Sequence, residues 1–144
     1  MTTSTLRSFT QPDFLATRLP AGLVDFTART MLALIFLLAG YGKITGYEGN
    51  LAYMASAGVP GFLLPGVIAL EILGGIALII GFQTRLAALG LAIFSIASAV
   101  LFHAQLSDQM QFIMFFKNLA MAGGLLLLGN QRPGPWTIDR KLGA

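Results

Sequence analysis

An all-α integral membrane protein, a four-helix transmembrane bundle with both termini in the cytoplasm, is the fold class this sequence predicts. Three observations carry that prediction. Hydrophobic types make up 56% of the 144 residues and Asp, Glu, Lys and Arg only 10%, with a mean hydropathy of +0.77, whereas an average soluble domain carries roughly 25% charged residues. The apolar residues gather into four continuous runs, each near the roughly 20 residues a helix needs to cross the hydrocarbon core. The basic residues outside those runs fall almost entirely on one side of a four-pass path, which sets its orientation.

The spans lie at about 23–41, 62–82, 86–102 and 112–129. They are continuously apolar rather than alternating, so helices satisfy their backbone in lipid where strands would not. The first span repeats Asp25, Arg29, Ala33, Phe36, Gly40 and Lys43 at three- and four-residue steps, giving one face with polar ends. Two glycine-rich interruptions follow, Gly46-Tyr47-Glu48-Gly49-Asn50 and Gly58-Val59-Pro60-Gly61, with a short helix between them at 51–57. The second of these is turn chemistry that could also shape a mouth over the bundle. Gly81-Phe82-Gln83-Thr84 is a tight turn with Thr84 as N-cap of the third span. That span carries Ala88, Ala92, Ser95, Ala99 and His103 on one close-packing stripe. Residues 105–111 are polar, and Asn130-Gln131-Arg132-Pro133-Gly134-Pro135 ends the fourth span.

The chain therefore divides into a polar N-terminal tail (1–20), a transmembrane domain (21–130) and a polar C-terminal tail (131–144). The first apolar run lies too far from Met1 for a conventional signal peptide and lacks a small-residue cleavage site, so it reads as a retained span. Leu6, Phe9, Phe14, Leu15 and Leu19 form either an interfacial stretch weakened by Pro12 or a loosely attached tail. Arg7, Arg18, Arg85, Arg132, Arg140 and Lys141 share one side, against Lys43 on the other, which places both termini in the cytoplasm.

Several function classes drop out. The chain has no cysteine, which removes disulfides, thiol relays, iron–sulfur clusters and thiolate zinc sites. A single histidine leaves no bis-histidine haem. His103 has no second ligand at metal spacing and reads as a solvated or capping residue, so no metal site is expected. The net charge of +3 is scattered, so no nucleic-acid partner is expected either. Redox chemistry would have to be borrowed from a non-covalent cofactor or a partner.

Ionisable groups inside the spans cost roughly 2.5–3.5 kcal/mol each on insertion scales and so demand an explanation. Glu71 stands near the middle of the second span, roughly 14 Å from either end, with Gly74 and Gly75 on its own face. Arg29, about two turns inside the first span, reads at a similar depth. Lys117 and Asn118 enter the fourth span from the opposite end. An inward-facing cluster of Glu71 with Arg29, Lys117 and Asn118 would let the charges neutralise one another. The same residues admit a plainer reading as a salt-bridge network that fixes packing, with Asn118 in an interhelical hydrogen bond and Lys43 and Arg85 as interfacial anchors. Glu71 beside a cation suits proton donation or acceptance at a quinone-like head group, since two-electron quinone chemistry takes up protons. The residues permit that chemistry without demanding it.

Taken in order, the motifs resemble the DoxX family. The resembling blocks are Arg29 with Phe36-Leu37-Leu38-Ala39-Gly40 and Lys43; Ala57-Gly58-Val59-Pro60; and Glu71-Ile72-Leu73-Gly74-Gly75 with Leu78 and Gly81. Thr84-Arg85-Leu86-Ala87-Ala88 follows, then Lys117-Asn118-Leu119-Ala120 with Gly123-Gly124, then Gly134-Pro135-Trp136-Thr137-Ile138-Asp139. The likeness covers residues 23–139, with Trp136 standing where the pattern leads one to expect glycine. The resemblance implies a small four-helix inner-membrane protein, often called an oxidoreductase. Family relatives are linked to thiosulfate:quinone oxidoreductase membrane subunits, to redox-stress complexes and to the degradation of aromatic compounds.

Three functions are consistent with these residues. In the first, the chain is a quinone-linked oxidoreductase subunit or redox-stress accessory protein: Glu71 handles protons, Arg29, Lys117 and Asn118 position an oxygen, and a partner protein supplies electrons. In the second it is a small-molecule carrier or permeability protein using the same cluster at the midplane, for which four helices suffice only as a homo-oligomer. In the third it is a structural or assembly subunit. Glu71→Gln separates them, abolishing quinone turnover, altering solute flux or lowering stability respectively.

Overall fold

The computed structural model describes residue 20 and residues 22–143; the N-terminal stretch containing Leu6, Phe9, Phe14, Leu15 and Leu19 lies outside the described residues. Helices α1 (Leu23–Thr45), α2 (Tyr47–Ser56), α3 (Leu64–Ile80), α4 (Thr84–Phe102), α5 (Gln109–Asn130) and α6 (Ile138–Lys141) follow in order, with a 3₁₀ turn at Gly61–Leu63 leading into α3. No strand occurs among the described residues. Four helices are long and apolar enough to span a membrane: α1, α3 with its 3₁₀ lead-in, α4 and α5.

These helices outrun the apolar runs at their polar ends. α1 continues through Lys43 and Thr45, whose polar groups suit the exit from lipid. α5 starts at Gln109 because the Asp108 side chain accepts a hydrogen bond from the Gln111 amide at 2.9 Å. The short helix of the first connection occupies Tyr47–Ser56, four residues earlier at its start than the apolar pattern suggests.

α1 packs along α3, and α4 along α5; α3 and α4 join the two pairs, while α1 and α5 touch only slightly. The first pair approaches closely at glycines. A Cβ on Gly75 would stand 2.8 Å from Leu37, and one on Gly40 would stand 2.8 Å from Ile72. The expected inner faces of α1 and α4 are the ones buried: Arg29, Ala33, Phe36 and Gly40 on the first, Ala88, Ala92, Ser95 and Ala99 on the second. Ala33, Phe36, Leu78, Ala88, Leu91, Ala92, Ala122 and Leu125 make one core. Large apolar side chains such as Leu38, Leu73, Ile93 and Leu127 point outward, as a lipid solvent allows.

The α3–α4 turn lies at the end of the bundle that also holds Gly22 and the C-terminal segment, here called the terminal end. α3 closes on Gly81, whose φ of +69° is the left-handed C-cap conformation that glycine adopts without strain. Thr84 does not cap α4 as expected; it is the first helical residue, and the preceding Gln83 makes no side-chain cap. The cap comes from far along the chain. Asp139 accepts from the Gln83 amide at 2.7 Å and the Thr84 amide at 2.8 Å, while its own amide donates to Gly81 O. Burial alone would raise the Asp139 carboxyl, but these amides and the nearby Arg29 charge outweigh it and hold the group below the ordinary carboxylate range. Trp136 covers Gly22 and meets Phe26 edge-on, with ring centroids 6.2 Å apart.

Candidate functional site

The buried acid at mid-bundle pairs with a residue other than those the sequence suggests. Glu71 is 2% exposed, and its Oε1 accepts from Lys43 Nζ at 2.9 Å. Antiparallel α1 and α3 explain the match: Gly40 lets the helices close over Glu71 Cβ and Ile72, which brings Lys43, one turn further along, level with the carboxylate. Lys43 is therefore more than an interfacial anchor. Its side chain is about one-quarter exposed and its ammonium group reaches inward to Glu71.

Arg29 does not join this pair. Its Nη1 donates to Leu78 O at 2.7 Å and Ile79 O at 2.6 Å, its Nη2 to Trp136 O at 3.1 Å, and its Nε to Asp25 at 3.0 Å. Those carbonyls lie seven and eight residues beyond Glu71, roughly 10–12 Å along α3, so the expected match in depth fails. A fully buried guanidinium here satisfies the last carbonyls of α3, where the helix dipole favours a cation. It also ties the C-terminal segment to the bundle.

The fourth-span residues also stand apart. The inner face of α5 runs through Asn118, Ala122, Leu125 and Gly129, so Lys117, about 100° round the helix, is exposed. Lys117 Nζ lies 3.1 Å from Met114 Sδ, reaching toward the nearer helix end as a snorkelling lysine does. Asn118 is buried but donates to Met114 O of its own helix at 2.9 Å instead of bridging to another. The four-residue cluster thus resolves into one ion pair, one structural lock, one outward lysine and one intrahelical amide.

Around the ion pair is a cavity of about 340 Å³, within the range of small-molecule pockets of roughly 300–1,000 Å³. Glu71 and Lys43 form a polar wall; Val67, Phe94, Leu101 and Phe102 supply apolar lining. Glu71 Oε2 is buried and has no hydrogen-bond partner, which is an unfilled acceptor in a setting where such groups are normally satisfied. α2 covers the cavity with Tyr53, which stacks on Phe102 at 5.2 Å, and with Met54 and Asn50. His103 reaches the rim and is fixed by a 2.8 Å hydrogen bond to Gln111. The Gly58-Val59-Pro60-Gly61 turn contributes Val59 to the lining. Tyr53, Asn50 and His103 escape sequence reasoning because they come from a connection and a helix end. The only signal for them was the suggestion of a mouth at that turn.

Comparison with known proteins places these features in context. The DoxX family profile matches residues 24–104. The chain is 49% identical over 115 residues to an Escherichia coli protein named inner membrane protein YqjF, covering 80% of this chain and 88% of that one. It is 35% identical over 145 residues to the Escherichia coli inner membrane protein YphA, covering 96% and 99% respectively. A shorter likeness, 33% over 58 residues, links it to a Bacillus subtilis protein named "Putative oxidoreductase CatD", covering 40% and 43%. No solved structure gives a significant match.

Proposed function

Because this chain belongs to the DoxX family and is a multi-pass protein of the bacterial inner membrane, we propose that it is a quinone-linked redox subunit whose head-group site is the Glu71–Lys43 cavity. One observation carries this reading: a buried carboxylate with one oxygen on Lys43 and the other unpartnered, on the wall of a largely apolar cavity. That combination fits a flat apolar molecule with an oxygen at its edge. A protonated Glu71 donates one hydrogen bond to such an oxygen, and Lys43 holds the carboxylate once the proton has left. A bound quinone supplies acceptance of two electrons and two protons. The electrons come from a redox centre on a partner protein, since the chain has no cysteine to carry them. The name of the Bacillus subtilis relative points the same way.

The role assigned to Glu71 stands within this proposal; those assigned to Arg29, Lys117 and Asn118 pass to Lys43 and the cavity wall. The chain is oriented with both termini in the cytoplasm, following Arg85, Arg132, Arg140 and Lys141 at the terminal end. The cavity then opens toward the opposite face. Titration of the purified protein with a short-chain ubiquinone, followed by intrinsic fluorescence quenching, tests the site. Saturable binding lost in Glu71→Gln supports it; equal binding in both proteins refutes it.

A further inference from the structure

At the terminal end lies a second, larger cavity of about 870 Å³, lined by none of the residues that line the Glu71 cavity. Arg85 from the first turn of α4, Arg132 from the segment after α5, and Arg140 from α6 all line it. Among the described residues none of the three pairs with a carboxylate. The two acids in its wall are already engaged: Asp25 with Arg29, and Asp139 with the Gln83 and Thr84 amides. Among the described residues, four arginines and two acids thus line the cavity, leaving a net positive lining with three guanidinium groups unpaired with a carboxylate.

Guanidinium forks match tetrahedral oxyanions, donating two parallel hydrogen bonds to each phosphate edge. The depth matches as well. One wall is the last turn of α5, at Leu128 and Gly129, and another is the first turn of α4, so the cavity lies where the spans leave the hydrocarbon. On those same two helix ends Leu86 and Leu127 are 69% and 68% exposed, and Trp136 in the C-terminal segment is half exposed, as apolar and aromatic side chains at a membrane boundary are. We propose that this cavity binds a phosphate group, the charge being that of an anionic phospholipid head group or of a soluble phosphate.

The test uses the full chain in neutral detergent, with thermal unfolding and native mass spectrometry as readouts. The probes are phosphatidylglycerol, phosphatidylcholine and inorganic phosphate. Phosphatidylglycerol should raise Tm saturably and remain as a bound adduct, whereas phosphatidylcholine should not. Arg132→Gln/Arg140→Gln should start from the wild-type Tm, because neither guanidinium holds the fold, and should bind roughly tenfold or more weakly. A saturable shift with inorganic phosphate alone, also lost in the double variant, assigns the site to a soluble phosphate. Should the double variant start from a lower Tm, the single Arg132→Gln carries the comparison. No shift with either anionic probe, or a shift retained in the variants, overturns the proposal.

Discussion

Replacing Arg29 with methionine separates a structural lock from a ligand contact. The wild-type guanidinium makes four hydrogen bonds of 2.6–3.1 Å, to Leu78 O, Ile79 O, Trp136 O and Asp25. Methionine keeps much of the length and volume but donates nothing. Removing one member of a buried charge pair costs about 3–5 kcal/mol, because the partner is left uncompensated. Asp25 is partly exposed, which softens that loss, while the α3 carbonyls left without a donor add to it. A net loss of about 3–5 kcal/mol translates at roughly 2–4 °C per kcal/mol for a chain of this size, so Tm should fall by about 6–20 °C. Trp136 is the single tryptophan and sits on the latch, so its emission reports the segment directly. The emission should shift to the red, and trypsin should cut at Arg140 and Lys141 faster than in wild type. Wild-type Tm and unchanged Trp136 emission, together with lost ligand binding, would refute the assignment of Arg29 as a lock.

The same end of the molecule should respond to acid. Asp139 has a depressed carboxyl pKa in the folded state, so its contribution is fully present above the unfolded carboxylate range and is lost as pH falls through the folded value. Wild type should therefore release the C-terminal segment below about pH 4. Asp139→Asn should lack that transition and be weaker at neutral pH by about 1–2 kcal/mol, as read by Trp136 emission against pH. Gly75→Ala should part α1 and α3 or force Leu37 from its rotamer at a cost of about 1–3 kcal/mol. Gly123→Ala, which meets nothing within 4 Å, should leave thermal stability unchanged or raise it slightly. Lys43→Met strands the Glu71 carboxylate and should destabilise the protein, and adding Glu71→Gln should recover most of the loss in a double-mutant cycle.

The helices were legible because lipid imposes length and apolarity on any spanning segment. Burial of Glu71 and the inner faces of α1 and α4 followed from helical phase alone. Partner choice did not follow. Depth suggested Arg29 and Lys117 as counter-ions and left Lys43 as an interfacial anchor, whereas the register set where Gly40 and Gly75 admit the facing helix selects Lys43. Arg29 bonds mainly to main-chain carbonyls, which leave no mark in a sequence. Lys117 escaped the expectation that intramembrane charges face inward because its long stem lets the ammonium travel toward the helix end. The Asp139 cap joins positions 55 and 56 residues apart, through a segment with no apolar period to announce its docking.

The central claim is that Glu71 and Lys43 hold the head group of an apolar redox molecule. Mass spectrometry of small molecules extracted from detergent-purified protein, with Glu71→Gln prepared in parallel, tests it most directly. The account predicts a quinone retained by wild type and absent from the folded variant. Ordinary phospholipid alone in both samples would contradict it.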